Sequence, residues 1–148
     1  MGIDGKPHDK SGKTALRHTA ISGHTKITQL FLSCDFSDET IVDLNQIGKT
    51  PLEYAASGGH LETIKSLLQH RSGGFHAKSA LGAAIRGGHS RAIVQFLDYG
   101  VEPDYNDLFA AIDSGIEESV RAFLEYSMDL DPPDSQHRAA LQAAASAG

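Results

Sequence analysis

Hydrophobic positions along this chain fall into short stripes of helical spacing, each cut off by a glycine. The clearest phrase runs from Gly48 to His60 and reads G-K-T-P-L-E-Y-A-A-S-G-G-H. Thr50 can cap a helix with its hydroxyl, and Pro51 suits the first helical position, where its missing N–H has no partner to lose. Glu53 can close a capping box back onto Thr50. Ala55 and Ala56 favour helix and let a neighbouring helix come close, while Gly58-Gly59 can take the left-handed turn that ends it. This first helix is about two turns long. After His60, Leu61, Ile64, Leu67 and Leu68 recur every three or four residues, so a second helix carries one apolar face. Together they predict a helical hairpin.

The phrase is repeated. Asp9-x-x-Gly12-x-Thr14-Ala15-Leu16, running to Gly23-His24, matches Asn45-x-x-Gly48-x-Thr50-Pro51-Leu52, running to Gly59-His60, at an offset of 36. Downstream, Ser79-Ala80-Leu81 leads through Ala83-Ala84 to Gly88-His89, with Ile93, Phe96 and Leu97 behind it, at an offset of 29. Asn106-Asp107-Leu108, Ala110-Ala111 and Gly115 follow 27 residues later, with Val120, Phe123 and Leu124 behind them. Ala139-Ala140-Leu141, running to Gly148, stands 33 residues further on. Periodicity of this length indicates a solenoid.

On these motifs the chain resembles the ankyrin repeat family, whose unit of about 33 residues joins two antiparallel helices and a hairpin finger. T-P-L, A-A and G-H stand in register in the second repeat, and Ile116 replaces the histidine in the fourth. The resemblance implies an all-α fold, an ankyrin-repeat solenoid of stacked antiparallel helix pairs with short hairpin or loop fingers. Residues 1–8 read as an N-terminal arm, and 9–148 as a single ankyrin-repeat domain with repeats at about 9–44, 45–74, 75–104 and 105–133 and a partial one at 134–148. The first connection is longer than the family period and holds Phe36, Ile41, Val42 and Leu44, so it reads as a packed loop. Between the third and fourth repeats, Tyr99 to Asp104 resembles the inter-repeat turn without room for a full finger, and Pro132-Pro133 stiffens the next connection. Ala143, Ala144, Ala145 and Ala147 make no polar outer face, which suggests an excerpt from a longer array, the alternative being a half-repeat that serves as a crude cap.

Composition narrows the function. The 148 residues are 40% hydrophobic and 22% charged, ordinary for one domain with a buried core. The net charge of −6 lies wholly in residues 75–148, which argues against nucleic acid or an anionic membrane as the main partner. No stretch reaches the roughly 18 apolar residues of a membrane span, and Met1–Lys10 lacks the apolar core of a signal peptide, so the expected location is intracellular, cytoplasmic or nuclear. Met1-Gly2 invites a myristoylation reading, but Lys6 stands where a Ser or Thr is wanted. Cys34 is the only cysteine, so no disulfide framework and no cysteine zinc site is expected.

Candidate chemistry is sparse. The triplets Gly12-Lys13-Thr14 and Gly48-Lys49-Thr50 match a phosphate loop only in part: the first glycine of G-x-x-x-x-G-K-[ST] is Pro7 in one and Asp43 in the other. His24, His60 and His89 occupy equivalent positions, but stacked helices stand about 8 to 10 Å apart. A shared zinc needs imidazole nitrogens about 2 Å from the metal, so backbone hydrogen bonding at the start of each second helix is the expected role. Glu117-Glu118 suits the first turn of a second helix through its dipole. No catalytic residue, metal or cofactor is expected.

What remains is surface. The resemblance implies that finger tips and the exposed side of each first helix form a concave face on which partners dock. By position this places Lys10, Ser11, Lys13, Ile21 and Ser22 from the first repeat, and Gln46, Ile47, Lys49, Ser57 and Gly58 from the second. The shorter third and fourth repeats add Arg86 and Gly87, then Asp113 and Ser114. Lys10, Lys13 and Lys49 can steer an acidic protein segment while Ile21 and Ile47 anchor it. Read singly, the lysines are equally explained as solubilising and the isoleucines as scattered surface apolars. The expected function is therefore a non-catalytic protein–protein interaction module, a monomer or part of a longer chain. The alternative is a regulatory or scaffolding array that packs against neighbouring domains of a larger protein.

Overall fold

The computed structural model describes residues 15–33, 49–70 and 73–126. These residues hold eight α-helices: α1 (Ala15–Ser22), α2 (Thr25–Ser33), α3 (Pro51–Ser57), α4 (Leu61–Gln69), α5 (Ala77–Gly87), α6 (Ser90–Asp98), α7 (Tyr105–Asp113) and α8 (Glu117–Tyr126). A 3-10 turn, Gly73–His76, leads into α5. The helices pair in order as four hairpins. The first helices α1, α3, α5 and α7 pack side by side as one layer, and the second helices α2, α4, α6 and α8 as the other. The array is thus a two-layer helical solenoid, as the sequence predicts.

Alanine sets the spacing of the inner layer. Ala55 and Ala56 of α3 and Ala80 and Ala84 of α5 are fully buried, so α3 and α5 share the most extensive helix contact among the described residues. Between the layers, Ile64, Leu67 and Leu68 of α4 and Ile93, Phe96 and Leu97 of α6 form the centre of the core. Each of these aliphatic or aromatic side chains contributes about 1.5 to 3 kcal/mol by leaving water. In α8, Phe123 joins the core, but Leu124, which has the spacing of the same stripe, is 58% exposed.

Local signals act where the sequence places them. Thr50 caps α3 by accepting from Glu53 N–H at 3.2 Å, and the Glu53 carboxylate accepts from Thr50 N–H at 2.6 Å, closing the capping box ahead of Pro51. Of the Gly58-Gly59 pair, Gly59 takes the left-handed turn, at φ 66°. His60 N–H then donates to Ala55 at 3.0 Å and Gly59 N–H to Ala56 at 3.1 Å, the two bonds that close a Schellman motif.

Two starts differ from the repeat alignment. Ser79 and Asn106 align with the capping Thr50, yet α5 begins at Ala77 and α7 at Tyr105. Both positions lie inside helices. Ala77 and Lys78 are good helix formers, and Asp104 makes its own capping box with Asp107, which moves each start toward the N-terminus. Residues 99–104 form a short turn in place of a finger, as expected from the missing length, and no strand occurs among the described residues. The first connection (34–48), the Pro132-Pro133 connection and the partial repeat at 134–148 lie outside the described residues, as does Gly12-Lys13-Thr14.

Candidate partner-binding face

Each of two hairpins is tied to the one before it by a histidine. His60 Nε2–H donates to the carbonyl of Ile21 at 3.0 Å, and His89 Nε2–H donates to the carbonyl of Ser57 at 2.9 Å. Both rings therefore satisfy the C-terminal carbonyl of the preceding first helix, which has no partner within its own helix. His24, in the first described hairpin, is exposed. The backbone role expected of these histidines is met at His60 and His89.

The rings explain a glycine pattern. A Cβ on Gly58 would stand 2.5 Å from His60 Nε2, and one on Gly23 would stand 2.5 Å from His60 Nδ1, so the imidazole lies between two backbones that cannot carry side chains. His89 is held the same way by Gly59 and Gly87, and a Cβ on Gly87 would also come within 2.9 Å of the Ser57 carbonyl oxygen. The fourth hairpin has Ser114 in place of that glycine and Ile116 in place of the histidine. The glycine is present where a histidine reaches back past it and absent where none does.

This bridging brings several of the expected surface residues into one row. Ile21 and Ser22 at the end of α1, Ser57 and Gly58 at the end of α3, and Arg86 and Gly87 at the end of α5 lie at successive steps of the inner layer. Asp113 and Ser114 continue it at the end of α7. Ser22, Ser57, Arg86 and Asp113 are exposed and Ile21 is half-buried. Lys49 is exposed ahead of α3, with its ammonium 6.0 Å from the centroid of the Tyr54 ring, at the outer reach of a cation–π contact. Lys10, Ser11, Lys13, Gln46 and Ile47 lie outside the described residues.

Two residues join the row that position alone does not single out. Tyr54 stands one turn before Ser57 and Gly58, and His18 one turn before Ile21 and Ser22, so both lie on the same helix faces. His18 is exposed and Tyr54 half-buried. Ala83 and Ala110 hold the equivalent places in the next two hairpins, so the row is ringed and broad at one end and flat at the other.

At the far end the Lys78 ammonium joins α5 to the start of α7. It donates to the Glu102 carbonyl at 2.9 Å, lies 3.3 Å from Asp104 and pairs directly with Asp107. Burial pulls the Asp104 carboxyl up, but the Asp107 N–H and the Lys78 charge outweigh it and hold the carboxyl below its ordinary value. In the sequence Lys78 is only a helix surface charge; the missing finger is what lets it span the junction.

Among the described residues no three of His, Cys, Asp and Glu gather as metal ligands, and no helix is long and apolar enough to cross a membrane. The Thr50 hydroxyl, which a phosphate loop would present to a cation, is buried and engaged in capping α3. The profile of ankyrin repeats in three copies matches residues 2–79, more than half of the chain. The chain belongs to the ankyrin repeat family. No curated protein matches it. Ankyrin repeats are generally protein–protein interaction modules, typically without enzymatic activity. The hairpins α5–α6 and α7–α8 extend the ankyrin array, almost entirely beyond the matched residues, on the same two layers.

Proposed function

We propose that this ankyrin array is a non-catalytic intracellular module that holds one protein partner on its concave face, formed by the first-helix ends and the segments that precede them. The residues that meet the partner are Lys10, Ser11, Lys13, Ile21, Ser22, Gln46, Ile47, Lys49, Ser57, Arg86 and Asp113, with His18 and Tyr54 between them. The observation that carries this reading is the row of first-helix ends fixed to one another by His60 and His89, because a row held at constant spacing costs little ordering on binding. Lys49 and Arg86 are exposed, whereas Glu53 is committed to its capping box. That favours an acidic segment with apolar anchors.

The test is capture of partners from source lysate by the wild-type chain and by a Lys13→Glu, Ile21→Asp, Lys49→Glu variant of matched melting temperature. A protein held by the first and released by the second supports the concave face. Equal retention by both would move the site to the second helices. Failure to retain any protein would favour the array as an internal part of a larger protein.

A further inference from the structure

The second helices repeat a position four residues after each left-handed glycine: Ile27, Thr63, Ala92 and Ser119. The last three are fully buried, because the second helix of the preceding hairpin covers them; Thr25 Oγ1 lies 2.9 Å from Thr63 Oγ1, and Gln29 donates to Ser66 at 3.0 Å one turn on. In α2 the same edge is open and carries larger apolar groups. Ile27 is 46% exposed and Leu30, the counterpart of Ser66, is 64% exposed.

The opposite edge shows the mirror situation. Leu68 and Leu97, near the ends of α4 and α6, are buried, while their counterpart Leu124 in α8 is 58% exposed with Tyr126 beside it. The two edges also differ in charge. Residues 15–33 contain Arg17, Lys26, His18 and His24 and no carboxylate, although the chain as a whole is acidic. Around Leu124 stand Glu117, Glu118 and Glu125, and the one cation of α8, Arg121, is paired with Glu117 at 2.6 Å.

We propose that these edges are the two halves of one contact, the α2 edge of one copy docking on the α8 edge of a second copy. Ile27 and Leu30 meet Leu124 and Tyr126, and Lys26 faces the surrounding glutamates. The geometry is heterologous, since each copy keeps one edge of each kind, so association continues into chains instead of closing as a dimer. The first-helix row stays open throughout. This goes beyond the proposed partner site and does not depend on it.

The experiment is sedimentation velocity on the whole chain from about 5 to about 500 μM, at low and high salt. The mass should climb past that of a dimer with concentration and fall back as salt screens the charge pairing. Leu30→Glu and Leu124→Lys, both at largely exposed positions and checked for unchanged melting, should each weaken association about tenfold or more. Mixed in equal amounts they should form a heterodimer that grows no further, because one supplies an intact α8 edge and the other an intact α2 edge. A wild-type chain that stays monomeric at the highest concentration overturns the proposal. So does association lost in Leu30→Glu alone, which would mean two α2 edges meeting each other, or association that survives both substitutions.

Discussion

Gly58 sits in right-handed helical backbone at φ −93° and ψ −4°, a conformation any residue adopts. Propensity alone therefore predicts that Gly58→Ala stabilises the chain, by about 0.4 to 1 kcal/mol. The His60 ring reverses the sign. The new methyl would lie 2.5 Å from Nε2 and 2.8 Å from Cδ2, and the ring has nowhere to retreat because Gly23 closes its other side. Displacing it loses the bond to the Ile21 carbonyl, about 1 kcal/mol, and leaves a half-buried carbonyl unpaired at about 1 to 3 kcal/mol. The net expectation is destabilisation by about 1 to 2 kcal/mol. In a His60→Ala background the obstacle is gone, and the same substitution should be neutral or stabilising by up to about 1 kcal/mol. Urea unfolding of the four chains by far-UV circular dichroism gives the coupling, expected at about 2 kcal/mol, well outside the roughly 0.5 kcal/mol within which independent sites add. A Gly58→Ala chain more stable than wild type, or additive energies, would refute the steric account of the glycine pattern.

Further expectations rest on single contacts. Thr50→Ala should cost about 1 kcal/mol in the same unfolding assay through loss of the α3 cap, and Thr50→Ser should restore most of it. Lys78→Met should cost about 1 kcal/mol, a modest figure because Lys78 and Asp104 are about half exposed, and less in high salt. The Asp104 carboxyl is held below its ordinary value, so its contribution is fully present above that value and lost as pH falls through the folded one; the gap between wild type and Lys78→Met should narrow below about pH 4 in acid unfolding curves. Phe96→Ala, at a fully buried side chain in the centre of the core, should cost about 3 to 5 kcal/mol, visible as a lowered urea midpoint.

The fold is legible in the sequence because its punctuation is local. Thr50, Pro51 and Glu53 start a helix and Gly59 ends one through bonds within a few residues, so the residue types alone carry the instruction. The repeat offset then says that neighbouring hairpins cover one another. Less is legible where the determinant lies in another hairpin. The start of α5 two residues before Ser79 and the span of Lys78 to Asp107 follow from the shortened connections. The need for glycine at positions 58 and 87 comes from imidazoles anchored a full repeat away. Tyr54 and His18 escape sequence reasoning for a simpler reason: the apolar period marks the buried stripe, and they stand on the opposite side, where spacing from Ser57 and Ile21 could have found them. Leu124 satisfies the apolar period but lies where no later described helix covers it.

A partner held on the first-helix face of this ankyrin array must shield that face from solvent. Amide hydrogen exchange of the whole chain, alone and with a captured partner, tests this most directly. Added protection at the ends of α1, α3 and α5, around Ile21, Ser57 and Arg86, with α4 and α6 unchanged, is the predicted result. Protection confined to the second helices, with those first-helix ends exchanging as before, would contradict it.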